Sequence, residues 1–272
     1  MKVGIDGGIS ALVPEFVDTE RTVLDVPPSN VDVSVFLPCH NEADNVARSL
    51  AETVAILQQE CKGGFEVLLV DDGSVDGTSR IAETVAAGMP GVHVLRMPEN
   101  GGKGGALRKV FAHARGSVVC FLDGDLDIHP KHLIPMIRVL GEDHVSVVIG
   151  SKRHPESKVD YPFQRRVLSK AYELVVRSLF GLGLSDTQAG IKAFKREVLE
   201  RVLPLGLVKR YAFDAELLVL ADAFGYRIRE MPFEMDFRSR FGSGVDLRAI
   251  IQMFLDTLGV FYRLRVTKYY EV

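Results

Sequence analysis

An apolar run, Val118-Val119-Cys120-Phe121-Leu122, ends abruptly in Asp123-Gly124-Asp125-Leu126-Asp127, which places three carboxylates at alternate positions. Carboxylates gathered at the end of a buried segment repel one another unless a cation joins them. A hard divalent cation, Mg²⁺ or Mn²⁺, accepts oxygen ligands and can keep waters and substrate phosphates in its shell. The chemistry on offer is therefore a metal–diphosphate site. The plain alternative is a turn of solvated Asp residues, since Asp-Gly is common in turns. The apolar run is too short for a helix and rich in β-branched residues, so it predicts a buried strand. A central strand of an open α/β sheet points its carboxyl end into the crevice where such sheets bind ligands.

The elements around it follow from periodicity. Val33 to Leu37, Glu66 to Val70, Val92 to Leu95 and Val145 to Ile149 read as further strands. Between them lie helical patterns: Val46, Leu50, Val54 and Leu57 share one face, then Ile81 and Val85, then Leu107, Val110 and Phe111, then a helix from about Pro130 to Leu140. Strands alternating with helices at this spacing predict βαβ units and a mostly parallel sheet, with the strand ends on one edge. That edge collects Asp71-Asp72-Gly73-Ser74, Asn100-Gly101-Gly102-Lys103-Gly104-Gly105 and the acidic turn.

The second half changes character. Residues 151–170 carry an excess of Lys and Arg and read as a loop leading into a helix from about Gln164 to Phe180. A turn and a strand around Ile191 to Phe194 follow, then a helix from Phe213 to Phe224, an extended stretch from Ile228 to Phe237, a cationic loop at Arg238 to Gly244, and a helix from Leu247 to Leu264. The expected domains are an extension at 1–30, a catalytic domain at 31–245 (31–150 for nucleotide, 151–245 for acceptor), and a C-terminal amphipathic helix and tail at 246–272.

Composition narrows the partners. The chain has 272 residues, 47% hydrophobic and 25% charged, with net charge −3, so a nucleic-acid polymer is not an expected partner. Cys39, Cys61 and Cys120 form no metal or redox spacing, which points to reduced thiols and the cytoplasm. No apolar run is long enough to span a bilayer, and no signal peptide is legible in the first 30 residues. Contact with a membrane surface stays open, and nothing speaks to oligomeric state.

The ordered set Leu37-Pro38-Cys39-His40-Asn41-Glu42, Val70-Asp71-Asp72-Gly73-Ser74-Val75-Asp76-Gly77-Thr78, Asn100-Gly101-Gly102-Lys103-Gly104 and Asp123-Gly124-Asp125 resembles the family 2 glycosyltransferases with the GT-A fold. Asp186-Thr187-Gln188-Ala189-Gly190-Ile191-Lys192-Ala193-Phe194, with Phe213-Asp214-Ala215-Glu216, resembles the polyprenyl-phosphate branch, which holds dolichyl-phosphate mannose synthases and glucosyltransferases.

The resemblance implies an α/β, Rossmann-like GT-A domain with a C-terminal helical appendage. It implies an inverting, metal-dependent transfer of a hexose from a UDP- or GDP-linked sugar to a polyprenyl or dolichyl phosphate at the cytoplasmic membrane face. Leu37, Pro38, Cys39, Asn41 and Glu42 would line the nucleoside pocket with Gly73 and Ser74, Asp72 would meet the base, and Lys103 would face the nucleotide. Asp123, Gly124, Asp125 and Asp127 would form the metal turn, with Asp127 alternatively capping the next helix. Arg238, Arg240 and Arg165 or Arg166 are candidate phosphate clamps. His40 and His129 are expected to be turn residues, not ligands.

One departure stands out: the branch commonly has Gly-Ser-Lys where this chain has Gly242-Ser243-Gly244. Asp214 occupies the region where hydroxyl-using relatives keep a base, so a hydroxyl acceptor is the rival expectation; a helix cap is Asp214's structural alternative. A nucleotide-binding module without turnover is the rival from another class. Glu216, two residues on, would point to another side of the helix.

Overall fold

The computed structural model describes residues 31–160, 163–236 and 247–271. The predicted alternation is present. The elements are β1 (Val33–Cys39), α1 (Val46–Glu60), β2 (Phe65–Asp71), α2 (Thr78–Ala86), β3 (Val92–Arg96), α3 (Lys103–Val110), β4 (Val118–Leu122), α4 (Leu133–Leu140), β5 (Val147–Gly150), β6 (Lys158–Asp160), α5 (Phe163–Phe180), β7 (Ile191–Lys195), α6 (Arg196–Val202), α7 (Phe213–Ala223), β8 (Ile228–Met231), β9 (Glu234–Asp236) and α8 (Leu247–Phe261). A π-helical turn, Tyr262–Val266, continues α8.

Seven strands form one sheet in the order β3-β2-β1-β4-β7-β5-β8, and β6 pairs with β9 beside it. Both faces are covered, as continuous apolar strands require. Alternation sends Phe36, Leu68, Phe121 and Phe194 to one face, under α3, α5, α6, α7 and α8. It sends Val35, Leu37, Leu69 and Cys120 to the other, under α1, α2 and α4. The sheet is mostly parallel, with β7 antiparallel to both β4 and β5.

That inversion positions the site. Because β7 runs against β4, Leu122 pairs with Ile191, so the start of β7 lies at the carboxyl end of β4. The turn at 186–190 is thereby delivered beside Asp123. Lys192, one residue in, shares a sheet face with Phe194 and is fully buried.

The expected extension at 1–30 lies outside the described residues, as do Arg238, Arg240 and Gly242-Ser243-Gly244; of Arg165 only the helical backbone is described.

Candidate active site

The acidic turn is held from two sides. The Asp123 N–H donates to the Gly190 carbonyl at 3.0 Å, and the Gly124 N–H donates to the Pro38 carbonyl at 3.2 Å. A Cβ on residue 190 would stand 2.3 Å from Asp123 Oδ2, so only glycine lets the carboxylate lie there. Leu126 takes a left-handed φ of 63°, and the Asp127 N–H turns back to Asp125 Oδ1 at 3.0 Å. Burial, then the charges of Asp123 and Asp127, push the Asp125 carboxyl up to about 7. Asp125 is thus short of positive charge.

Among the described residues, no three His, Cys, Asp or Glu side chains converge as a metal cage. The acidic turn suits a hard cation held by one or two carboxylates and completed by diphosphate oxygens and water, which is how Mg²⁺ commonly binds. His129, not Asp127, caps the turn at Pro130: its Nδ1 accepts from the Lys131 N–H at 3.0 Å. His40 is likewise a turn residue, its Nδ1 lying 2.9 Å from the Asp72 carbonyl oxygen.

The two loops expected to hold the nucleoside are bonded to each other. The Asn41 N–H donates to Ser74 Oγ at 2.8 Å, and the Val75 N–H donates to Asn41 Oδ1 at 3.0 Å. The Glu42 N–H donates to Thr78 Oγ1 at 2.9 Å. Leu37 and Cys39 are buried at the end of β1, and burial pushes the Cys39 thiol above its usual range, so it offers no thiolate. Asp72 Oδ1 accepts from the Gly101 N–H at 2.8 Å, so this carboxylate pins the Gly-rich loop to the end of β2.

That loop's glycines serve the chain's own packing. A Cβ on residue 104 would lie 2.4 Å from the Phe213 ring, and the Gly104 N–H donates to the Lys209 carbonyl at 2.9 Å. The close backbone approach expected there is to residues 208–213. Its consequence is to fix Lys103 at the first position of α3, over the acidic turn.

Lys103 begins a line of alternating charge. Its Nζ donates to Asp123 Oδ1 at 2.7 Å and stands 3.6 Å from Asp214 Oδ2. Asp214 Oδ1 accepts from Lys192 Nζ at 2.8 Å, and Lys192 also donates to the Ala189 carbonyl. Burial alone would push the Asp214 carboxyl up, but the two ammonium groups hold it below the usual carboxylate range. Asp214 is not a helix cap: α7 starts after Ala212 with no side-chain cap. Lys192 was not among the candidates from sequence; a lysine alternating with buried Ile191, Ala193 and Phe194 was the available signal.

Glu216 faces away from this line, as its spacing predicted. It is buried and accepts from the Leu207 and Val208 N–H groups, Arg108, Arg263 and Tyr270. Three of the basic residues at 151–170 are paired within the fold. Lys152 pairs with Asp186 at 3.0 Å, Lys158 with Glu234 at 3.0 Å, and Arg153 with Glu173. Arg166 reaches the Val159 carbonyl at 3.5 Å.

Comparison with known proteins shows the family. The sequence profile of Glycosyl transferase family 2 matches residues 34–203. The chain is 32% identical over 250 residues to Glycosyltransferase AglD of Haloferax volcanii, covering 91% of this chain and 40% of that protein. It is 30% identical over 258 residues to Dolichyl-phosphate beta-glucosyltransferase ALG5D of Trichomonas vaginalis, covering 90% of this chain and 78% of that one. Glucosyl-3-phosphoglycerate synthase from Mycobacterium tuberculosis, solved with Mn²⁺, UDP and glucosyl-3-phosphoglycerate, shares the fold at a TM-score of 0.64, with 21% identity over 85% of this chain and 80% of that one. The chain belongs to glycosyl transferase family 2, a nucleotide-sugar glycosyltransferase of the GT-A fold.

Proposed function

We propose that residues 31–245 catalyse the inverting transfer of a hexose from a UDP- or GDP-linked sugar to a polyprenyl or dolichyl phosphate, at the cytoplasmic face of a membrane. The observation that carries the acceptor is the state of Asp214. A general base needs a free lone pair and a pKa near the working pH. Asp214 meets two ammonium groups and is held below the usual carboxylate range. A hydroxyl acceptor would find no ready base there, whereas a phosphate oxygen is already anionic and attacks without losing a proton. The names of the dolichyl-phosphate relatives support the same acceptor.

In the reaction, an acceptor phosphate oxygen attacks the sugar's anomeric carbon opposite the nucleoside diphosphate. The carbon–oxygen bond to the diphosphate breaks, and its electrons stay on the leaving phosphate. Asp72 meets the base, Leu37 to Cys39, Asn41, Glu42, Gly73 and Ser74 shape the nucleoside pocket, and Lys103 offers its ammonium to the phosphates. Asp125 and Asp123 would hold Mg²⁺ or Mn²⁺, with Gly124 keeping the turn tight and Asp127 supporting it. A cation held there would supply Lewis-acid stabilisation of the leaving diphosphate. Arg238 and Arg240 are proposed clamps on the phosphates, because a guanidinium grips them bidentately.

The test is a donor-by-acceptor screen with purified protein and added Mn²⁺, including UDP-glucose, GDP-mannose and a short polyprenyl phosphate. Transfer to a sugar alcohol and not to the lipid phosphate would favour the hydroxyl reading. Nucleotide binding without transfer or donor hydrolysis would favour a binding module.

A further inference from the structure

We propose that the outer face of α8 and the turns after it form a docking surface for an anionic lipid bilayer. This rests on the reading that the acceptor is a membrane lipid, and it names the surface that brings the site to it. Leu247, Ile251, Leu255, Leu258, Tyr262, Val266 and Tyr269 follow one another at intervals of three and four residues, and each is at least 49% exposed. That spacing lines Leu247 to Val266 along one side of α8 and its π-helical continuation, with Tyr269 in the turn beyond. The inner side is already occupied: Phe254 packs edge-on against Tyr172, Phe261 against Phe180, and Thr257 and Val260 are buried. The helix therefore has two apolar sides, of which the core uses one.

Charge selects the occupant. Helix α5 and the segment from α8 to Glu271 together carry eight Lys and Arg against three Asp and Glu, in a chain whose net charge is −3. Exposed Arg248 stands at the start of the stripe, with exposed Arg265 and Lys268 at its end. An apolar stripe flanked by cations and tyrosines is the pattern of a helix lying in a bilayer interface, with long basic side chains reaching the headgroups. A second copy of the chain docked on this stripe would bring these like charges together. Among the described residues no helix is long and apolar enough to cross a membrane.

The stripe also adjoins the active site. Leu255 lines an open groove of about 640 Å³ whose other wall is the segment Leu207 to Tyr211. Lys209 in that segment accepts from the Gly104 N–H, in the turn that carries Lys103. One segment thus separates the bilayer face from the loop at the reacting centre.

The experiment is co-sedimentation of the full chain with vesicles lacking any polyprenyl phosphate. One set is phosphatidylcholine alone and the other equal parts phosphatidylcholine and phosphatidylserine. The chain should sediment with the mixed vesicles and less with the neutral ones. The triple variant I251N/L255N/L258N should lose about tenfold or more in partitioning, with nucleoside diphosphate binding unchanged. Should the triple variant fail to fold by circular dichroism, L258N alone carries the test and should give a smaller loss in the same direction. Absence of sedimentation, or equal sedimentation of the variants, would overturn the proposal. So would a lipid-free dimer, seen by light scattering, that the variants dissociate. Because these vesicles hold no acceptor, their failure leaves the transfer reaction untouched; failure of transfer to a soluble polyprenyl phosphate would sink the acceptor reading without touching vesicle binding.

Discussion

Lys192 and Asp214, 22 residues apart in sequence, form a buried ion pair at 2.8 Å behind the acidic turn. The pair joins the antiparallel strand of the sheet to the first turn of α7, and through Lys103 it reaches Asp123. Removing one partner of such a pair leaves an uncompensated buried charge. Lys192→Met should destabilise the fold, by less than the roughly 3–5 kcal/mol of a fully orphaned buried charge because Lys103 still stands 3.6 Å from Asp214, measured by urea unfolding. The double variant K192M/D214N, which removes both charges, should recover part of that loss. Equal stability of the single variant and the parent would mean the pair is dispensable.

Asp214→Asn tests the absence of a general base. The amide still lies between Lys103 and Lys192, so transfer to polyprenyl phosphate should persist at a measurable level, with no new pH dependence near neutrality. Abolished transfer with intact donor binding would identify Asp214 as the base. Asp214 also contributes to stability with a definite sign. Its folded pKa lies below the ordinary carboxylate value, so its contribution is present above that ordinary value and is lost as pH falls through the lower folded one. Unfolding midpoints measured for the parent and D214N should converge at acid pH.

Asp125 behaves in the opposite sense. Its carboxyl is pushed up to about 7, so ionising it in the folded, metal-free protein opposes stability as pH rises from the ordinary carboxylate value through about 7. Asp125→Asn should therefore raise the melting temperature of the metal-free protein at pH 8 by roughly 2–4 °C, and by less at pH 4. The same variant should lose most activity and weaken Mn²⁺-dependent donor binding. The parent's Mn²⁺ affinity should fall as pH drops below 7, because the ligand must first lose its proton. Full activity of D125N, or unchanged parent activity in excess chelator, would contradict this.

Asp72→Ala should weaken binding of the free nucleoside diphosphate by about 1–3 kcal/mol, the cost of a lost hydrogen bond at a buried site, read by calorimetry. Because Asp72 also holds the Gly101 N–H, a modest fall in thermal stability should accompany it. Unchanged nucleotide affinity with lowered stability would give Asp72 a purely structural role.

The fold was legible where periodicity was strong. Strands such as Val118–Leu122 and helices such as Val46–Glu60 follow from apolar spacing alone. The direction of β7 was not, because Ile191 to Phe194 is a short apolar run that reads the same in either sense. Strand β6, three residues, and α6, seven residues, are too short to carry a pattern. Within the site, the acidic turn and Lys103 were visible because glycines and carboxylates cluster in sequence. Lys192 was hidden because its meaning depends on a partner in another element. The basic run at 151–170 offered candidate phosphate clamps, but its Lys152, Arg153 and Lys158 find carboxylates within the fold, at Asp186, Glu173 and Glu234.

The most direct measurement of the central claim is a paired acceptor assay with the full chain, UDP-glucose and Mn²⁺, offering a short polyprenyl phosphate in one reaction and the corresponding polyprenol in the other. If an anionic oxygen is the nucleophile and Asp214 is no base, glycosylated lipid phosphate forms, seen by mass spectrometry, and the alcohol gives none. Glycosylation of the alcohol or of a sugar hydroxyl, with the lipid phosphate inert, would contradict it.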